Sequence, residues 1–215
     1  MPKLKLIVAD RNISSWSLRP WLAMKVKGIE FSEETILLGK PTTAEQISRV
    51  SPSGWIPCLL VDDKPIWDSL AIVEYLAEVF PEKSLWPADP WARAIARAVV
   101  AEMHSGFRSF PTDLRMSIGS SVSRPTPALE GKLGRDVTRI RQIWRSCRSE
   151  FGASGKYLFG EFSVADAFYA PVVSRFETYS IPVGTVERDY MDAIWALGPM
   201  QDWKREAQAE LRSEG

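Results

Sequence analysis

Hydroxyl and carboxylate side chains stand at the points where two helices of the sequence are predicted to begin. They are Ser14, Ser15, Ser17, Asp68 and Ser69. Side chains of these types commonly cap the unpaired backbone N–H groups of a first helical turn. The same helix ends are also ready sites for an anion, because their N–H groups and dipoles point towards it. The spacing therefore predicts helix caps, an anion site, or both.

Thiol and metal chemistry is disfavoured by the residue types at hand. Segment 14–19 contains no cysteine, although disulfide exchange needs a nucleophilic thiol. Cys58 and Cys147 have neither metal-ligand spacing nor the pattern of a disulfide framework, so we expect both to be reduced and packed. The single histidine, His104, excludes a multi-histidine metal centre, and we expect no metal.

The overall charge gives no reason to expect nucleic acid or a membrane as a partner. The chain of 215 residues carries 27 basic and 27 acidic side chains, so no net field attracts polyanions. It contains no apolar run long enough for a membrane span, and residues 1–9 lack the features of a secretory signal. These observations predict a cytoplasmic protein.

The elements that must position the polar groups fall into two parts. The first part alternates strands and helices, predicted in the order 3–9 (strand), 15–27 (helix), 31–38 (strand), 42–50 (helix), 57–61 (strand), 65–67 (strand) and 69–80 (helix). The proline-rich stretch PEKSLWPADP follows and is typical of a connector. The second part shows only helical periodicity, predicted at 91–110, 128–151, 163–179, 186–196 and 200–211. We predict domains at 1–81 and 91–215 joined by a linker at 82–90, with a flexible loop at 117–127.

Pro57 stands at the head of the apolar run Cys58–Val61, where it would weaken a sheet. One explanation is a trans proline at an edge or bulge, which base rates favour because only about 5% of X-Pro bonds are cis. The other is a cis Ile56–Pro57 bond that turns the backbone of Ile56 outward. An extended peptide could then pair with Ile56 as one more strand. The dipeptide alone does not decide between the two.

The wider motif does decide. The element order βαβαββα is that of a thioredoxin-like α/β unit, and an all-α helical bundle follows it. The stretches SPSGWIPCL, DSLAIVEYL and GEFSVADAFYAPV occur in the order and at the spacing found in cytosolic glutathione transferases, which the sequence resembles over nearly its whole length. The opening SSWSLRPWLAMKVKGI resembles the serine-type, zeta-like classes.

The resemblance assigns roles to the polar residues of the first part. It makes Ser14 the residue whose hydroxyl donates to the sulfur of glutathione, with Ser15 or Ser17 as alternatives if the loop is shifted. It implies that Asp68 and Ser69 bind the γ-glutamyl end. It also implies that four further residues complete the glutathione site, namely Lys40, Trp55, Ile56 and Pro57.

An electrophile pocket is expected between the two parts of the chain. Its candidate residues are Trp16, His104, Phe107, Arg108 and Arg115. We place the last four on or just after the first long helix of the second part, with three of them at one-turn spacing. Aromatic residues at that spacing also fit a plain core stripe. Asp166, three residues after Ser163, fits a capping box and is expected to serve folding rather than chemistry.

Three functions follow from the resemblance. The first is conjugation, in which the glutathione thiolate attacks a small hydrophobic electrophile. The second is a zeta-like cis–trans isomerase of maleyl compounds that uses glutathione as a coenzyme, for which Arg19, Arg108 or Arg115 would have to face the pocket. The third is a non-catalytic scaffold with a transferase-like fold. The resemblance also implies a homodimer and a role in detoxification.

Overall fold

The computed structural model describes residues 2–120 and 122–213. Met1 and the last two residues, within the predicted domains, and Ser121, within the predicted loop, lie outside the described residues. The strands are β1 (Leu4–Ala9), β2 (Ser32–Ile36), β3 (Cys58–Val61) and β4 (Lys64–Trp67). The helices are α1 (Ser15–Val26), α2 (Thr43–Val50), α3 (Ser69–Val79), α4 (Pro90–Ser105), α5 (Phe110–Asp113), α6 (Gly131–Phe151), α7 (Val164–Thr178), α8 (Thr185–Trp195) and α9 (Gly198–Ser213).

The four strands form one mixed sheet in the order β2-β1-β3-β4. β1 is parallel to β2 and antiparallel to β3, and β3 forms a hairpin with β4. Leu6, Ile7 and Val8 of β1 are fully buried, as expected for a strand with a layer on each face. The predicted thioredoxin-like order and the all-helical second part are both confirmed. The domain limits at 81 and 91 stay a prediction.

A single large apolar core joins the sheet, α1 and α3 to the helices of the second part. Trp21 of α1 meets Trp203 of α9 edge to face, with ring centroids 4.9 Å apart. Within the second part, the buried hydroxyl of Tyr169 in α7 donates to the carbonyl of Val99 in α4 at 3.0 Å. The first helix is therefore packed against the helical part, which fixes the start of α1 relative to it.

The capping box at the start of α7 is confirmed. The Asp166 carboxylate is fully buried and accepts the backbone N–H groups of Leu158 at 3.0 Å and Ser163 at 2.8 Å, together with the Ser163 hydroxyl at 3.1 Å. Burial raises the pKa of Asp166 to about 6, against the lowering effect of these hydrogen bonds.

The predicted end of the first long helix in the second part is wrong. The helix predicted at 91–110 ends at Ser105, because Gly106 closes it and Phe107 takes a positive φ of 50°. His104, Phe107 and Arg108 therefore do not share one helix face. The loop predicted at 117–127 is confirmed, since its described residues form neither helix nor strand, and Ser117 and Ile118 within it are buried. No helix in the described part of the chain is long and apolar enough to cross a membrane.

Candidate active site

A groove of about 790 Å³ lies where the beginnings of α1 and α3 meet the loop before β3. Apart from Ala9 at the end of β1, its lining residues fall into three stretches that the fold brings together. They are Ile13, Ser14, Ser15 and Trp16, then Ser53 to Pro57, then Trp67, Asp68 and Ser69, with Leu38 and Ile47 beside them. Both groups of polar side chains singled out in the sequence therefore meet at one groove.

Ser14 is the N-cap of α1 and faces the groove. Its Oγ accepts the backbone N–H of Ser17 at 3.3 Å and lies 2.8 Å from the Ser17 Oγ. Ser17 is fully buried, does not line the groove, and accepts the N–H of Ala9 at 3.0 Å. Ser15 is buried but does contribute to the lining. The geometry thus favours Ser14, or Ser15, over Ser17 for contact with a ligand.

The Ile56–Pro57 bond is cis, as the second explanation of Pro57 predicted. The ladder between β1 and β3 begins at Cys58, so Ile56 lies outside the sheet pairing and beside the groove. Trp55 is 78% exposed and also lines the groove. The backbone of Ile56 is placed where an extended ligand could pair with it.

Asp68 and Ser69 form the polar end of the groove. Asp68 is the N-cap of α3, accepts the N–H of Leu70 at 2.8 Å, and takes a φ of 76°, a conformation that residues other than glycine rarely adopt. Ser69 is fully buried, and its Oγ has no hydrogen-bond partner in the described part of the chain. An unpaired buried hydroxyl at the N-terminus of an eleven-residue helix is suited to receive an anionic group.

Behind Trp16 lies a cluster of aromatic and cationic side chains. The Arg19 guanidinium stacks on Trp16 at 4.4 Å and on Phe168 of α7 at 4.9 Å. His104 meets Trp16 edge to face at 4.9 Å, and its Nε2 lies 3.3 Å from a carboxylate oxygen of Asp68. Burial, aided by the charge of Arg19 but opposed by that of Asp68, lowers the pKa of His104, so the ring is neutral at pH 7.

Arg19 is 4% exposed, and its Nε and Nη1 have no hydrogen-bond partner in the described residues. Burial and the nearby charge of Arg175 lower the pKa of Arg19 to about 9, which still leaves it charged at pH 7. Arg175 is itself buried but donates to the carbonyl oxygens of Leu114 and Pro171. Of these two buried cations, Arg19 is therefore the one whose Nε and Nη1 lack an acceptor in the described part of the chain.

Other predicted residues lie outside the groove lining. Lys40 is exposed in the turn before α2, where its backbone N–H is capped by Thr43. Phe107 is buried and packs on Phe110, with ring centroids 6.0 Å apart. Arg108 and Arg115 are exposed. The roles that we assigned to these residues from the resemblance stay predictions.

Sequence reasoning missed several apolar members of the site. Ile13, Leu38, Ile47 and Trp67 all line the groove, and Phe168 supports Arg19 from the second part of the chain. Trp67 and Ile13 directly precede the predicted Asp68 and Ser14, so their proximity was a usable signal. No local pattern indicated Phe168, which lies 149 residues after Arg19 and meets it only through packing.

Comparisons with known proteins identify relatives of this chain. The profile of the family described as glutathione S-transferase, N-terminal domain, matches residues 13–79, which include most of the groove. The maleylacetoacetate isomerase of Rattus norvegicus is 30% identical over 177 residues, covering 80% of this chain and 77% of that protein. The chain belongs to the cytosolic glutathione S-transferase superfamily and is zeta-like. A zeta-class glutathione S-transferase of Euphorbia esula is 29% identical over 178 residues, covering 80% of this chain and 75% of that one.

Solved structures show the same fold as this glutathione transferase. A glutathione transferase homologue from a Burkholderia species, determined with bound glutathione, superposes with a TM-score of 0.73 at 22% identity, covering 96% of this chain and 99% of that one. A bacterial maleyl pyruvate isomerase described as zeta class gives a TM-score of 0.72 at 21% identity, covering 95% and 98% respectively.

Proposed function

We propose that this protein binds glutathione in the groove and activates its thiol for attack on small hydrophobic electrophiles, as a glutathione transferase. One observation carries the proposal: the fully buried hydroxyl of Ser69, beside Asp68 at the start of α3, has no hydrogen-bond partner among residues 2–120 and 122–213. The γ-glutamyl end of glutathione carries both a carboxylate and an ammonium group. The Ser69 hydroxyl and helix end suit the carboxylate, and the Asp68 carboxylate suits the ammonium.

The residues at the start of α1 and before β3 are suited to the cysteinyl part of glutathione. With the cysteinyl part of glutathione paired to the backbone of Ile56, its sulfur would lie near the opening of α1. In the structure the Ser14 hydroxyl donates to the Ser17 Oγ at 2.8 Å, and on glutathione binding we expect it to turn and donate to the thiolate instead. In conjugation, the sulfur lone pair forms a bond to the electrophilic carbon, and the leaving group departs with the bonding electrons.

A zeta-like cis–trans isomerase is the second candidate function, and Arg19 favours it. The Nε and Nη1 of this buried guanidinium lack an acceptor among the described residues, and the group stacks on groove-lining Trp16, so it is suited to a substrate with a carboxylate group. Two of the similar proteins are named maleylacetoacetate and maleyl pyruvate isomerases. Glutathione would then add to the substrate double bond and leave again after rotation, so that none is consumed.

We further propose that the protein acts in detoxification as a cytoplasmic homodimer and holds no resident metal. The start of the second part would supply the dimer contact, and Trp91, in the first turn of α4, is 62% exposed there. Sedimentation of the parent protein and of Trp91→Glu tests the dimer. We expect a dimer for the parent and a shift towards monomer for the variant, whereas a monomeric parent would contradict this part.

Retention on immobilised glutathione, followed by turnover assays, tests the function. We expect the parent protein to be retained and Asp68→Ala to be retained poorly. Consumption of glutathione with a chloronitrobenzene supports the transferase, and conversion of a maleyl ketoacid without net consumption supports the isomerase. A well-folded protein that neither binds glutathione nor turns over either substrate would leave only the scaffold function.

A further inference from the structure

The segment that carries Ser14 is held from the second part of the chain. We call residues 10–14, which join β1 to α1, the serine loop. The indole Nε1 of Trp203, in the last helix α9, donates to the backbone carbonyl of Arg11 at 2.9 Å. Trp203 is fully buried and Arg11 is 5% exposed. This hydrogen bond joins residues 192 positions apart, from the C-terminal helix to the candidate active-site loop.

A second tether holds Asn12, two residues before Ser14. The backbone N–H of Ile118 donates to the Asn12 carbonyl at 3.2 Å, and that of Gly119 donates to the Asn12 side-chain oxygen at 2.9 Å. Gly119 is itself pressed against α9, since a Cβ there would come within 2.8 Å of the backbone of Ala207. The 118–119 segment and α9 therefore form one packed support for the loop.

Charged groups of α9 add to this support. The Arg11 guanidinium pairs with Glu206 and with Glu210 of α9, as well as with Glu33 of β2 at 2.7 Å. The backbone N–H of Arg11 donates to the Glu210 carboxylate at 2.8 Å. Within the loop itself, Ser14 N–H donates to the carbonyl of Asp10 at 2.9 Å. The position of Ser14 is thus set by a loop that is held from α9, from the 118–119 segment and from β2.

We propose that Trp203 and Asn12 are positioning residues that hold the Ser14 hydroxyl on the sulfur of glutathione. The inference rests on the proposed function. A hydrogen bond to a thiolate depends on donor position within about 0.5 Å, and a misplacement of about 1 Å can cost roughly a hundredfold in rate. The second part of the chain therefore contributes to thiol activation without touching glutathione.

Trp203→Phe isolates the tether, because it removes the indole N–H and leaves most of the aromatic packing. Trp144→Phe is the matched control: Trp144 is also fully buried in the helical part, but its Nε1 has no hydrogen-bond partner in the described residues. Asn12→Ala tests the second tether. Asn12 is half-buried and should tolerate substitution better than the fully buried Trp203. Circular dichroism and thermal melts establish that each variant is folded at the assay temperature.

The measurements are the thiol pKa of bound glutathione, from ultraviolet thiolate absorbance against pH, and kcat and KM with a chloronitrobenzene. For Trp203→Phe and Asn12→Ala we expect a thiol pKa raised by about half a unit to one unit and a kcat lowered about threefold to tenfold. The KM for glutathione should stay within about twofold, since Asp68 and Ser69 are not disturbed. Trp144→Phe should match the parent in all three.

The outcomes separate this inference from the proposed function. If the parent protein shows no thiolate on binding glutathione, the proposed function fails and the positioning role fails with it. If the parent shows the thiolate but folded Trp203→Phe and Asn12→Ala keep its pKa and kcat, only the positioning role is overturned. A raised KM with an unchanged thiol pKa would also overturn it, because the tethers would then support binding and not Ser14.

Discussion

Replacing Ser14 by alanine is the most direct test of how this protein would activate a thiol. A hydrogen bond to a charged acceptor contributes about 1.5–3 kcal/mol, and one pKa unit corresponds to about 1.4 kcal/mol. Ser14→Ala should therefore raise the thiol pKa of bound glutathione by about one to two units. The N-terminus of α1 still contributes about 0.3–1 kcal/mol, so the pKa should stay below the free-thiol value of about 8.5.

The substitution also removes a helix cap, which needs its own control. Ser14 accepts the Ser17 N–H at 3.3 Å, and the loss of such a cap costs about 1 kcal/mol of stability. Asp89→Ala removes a comparable cap, because Asp89 accepts the Ala92 N–H at 2.7 Å at the start of α4. Asp89 does not line the groove, so its variant should lose stability and keep the thiol pKa.

The assay is a pH titration of thiolate absorbance for the parent, Ser14→Ala, Ser15→Ala and Asp89→Ala, each saturated with glutathione. A thiol pKa in Ser14→Ala that equals the parent value would refute the role of Ser14. If Ser15→Ala alone raises the pKa, the sulfur contact belongs to Ser15, which also lines the groove.

Three other expectations follow from the shifted pKa values. Because burial lowers the pKa of His104, its ring gains a proton only below pH 6.5 and then pairs with Asp68. Below that pH, the KM of the parent for glutathione should rise up to about fivefold, because Asp68 is then less available to the ligand. The KM of His104→Asn should not rise in this way. Burial raises the pKa of Asp166 from 3.8 to about 6, so between pH 3.8 and 6 the native state binds more protons than the unfolded state. The contribution of Asp166 to the free energy of unfolding should therefore fall by about 3 kcal/mol as the pH rises through this range. Urea unfolding should show this slope in the parent and its loss in Asp166→Asn, and equal slopes would contradict the assignment. Burial raises the pKa of Cys58 to about 11 and of Cys147 to about 12, so iodoacetamide at neutral pH should label neither in the native protein and both in urea; rapid labelling of the native protein would be inconsistent with this packing.

Periodicity predicted most of the fold because several helices, such as α4 and α6, bury one apolar face. β1, α1 and α3 begin and end within one residue of their predicted limits. The end of α4 could not be predicted in the same way, since the aromatic spacing continues through Phe107 and Phe110 after the helix stops. The chain turns there at Phe107, whose positive φ of 50° is one that residues other than glycine rarely adopt.

Some residues of the candidate site could likewise be placed from the sequence, and others could not. Polar residues at helix starts, such as Ser14, Asp68 and Ser69, could be placed from sequence because capping chemistry ties them to the first turn. The environment of Arg19 could not be placed, because it depends on Phe168, a residue of another helix far along the chain. Local chemistry is readable in the sequence, whereas the burial of a charge is a property of the packed whole.

The groove and the surroundings of Arg19 are built from different parts of the chain, which bears on substrate specificity. The groups suited to glutathione all come from the first part of the chain, around Ser14, Ile56 and Ser69. The charged group best suited to a second substrate, Arg19, is instead shaped by its aromatic neighbour on α7. Substitutions at Phe168 should therefore alter the choice between neutral and carboxylate-bearing electrophiles while affinity for glutathione is maintained. Recognition of glutathione and of the second substrate would then depend mainly on different parts of the chain, although both substrates would meet at one sulfur atom.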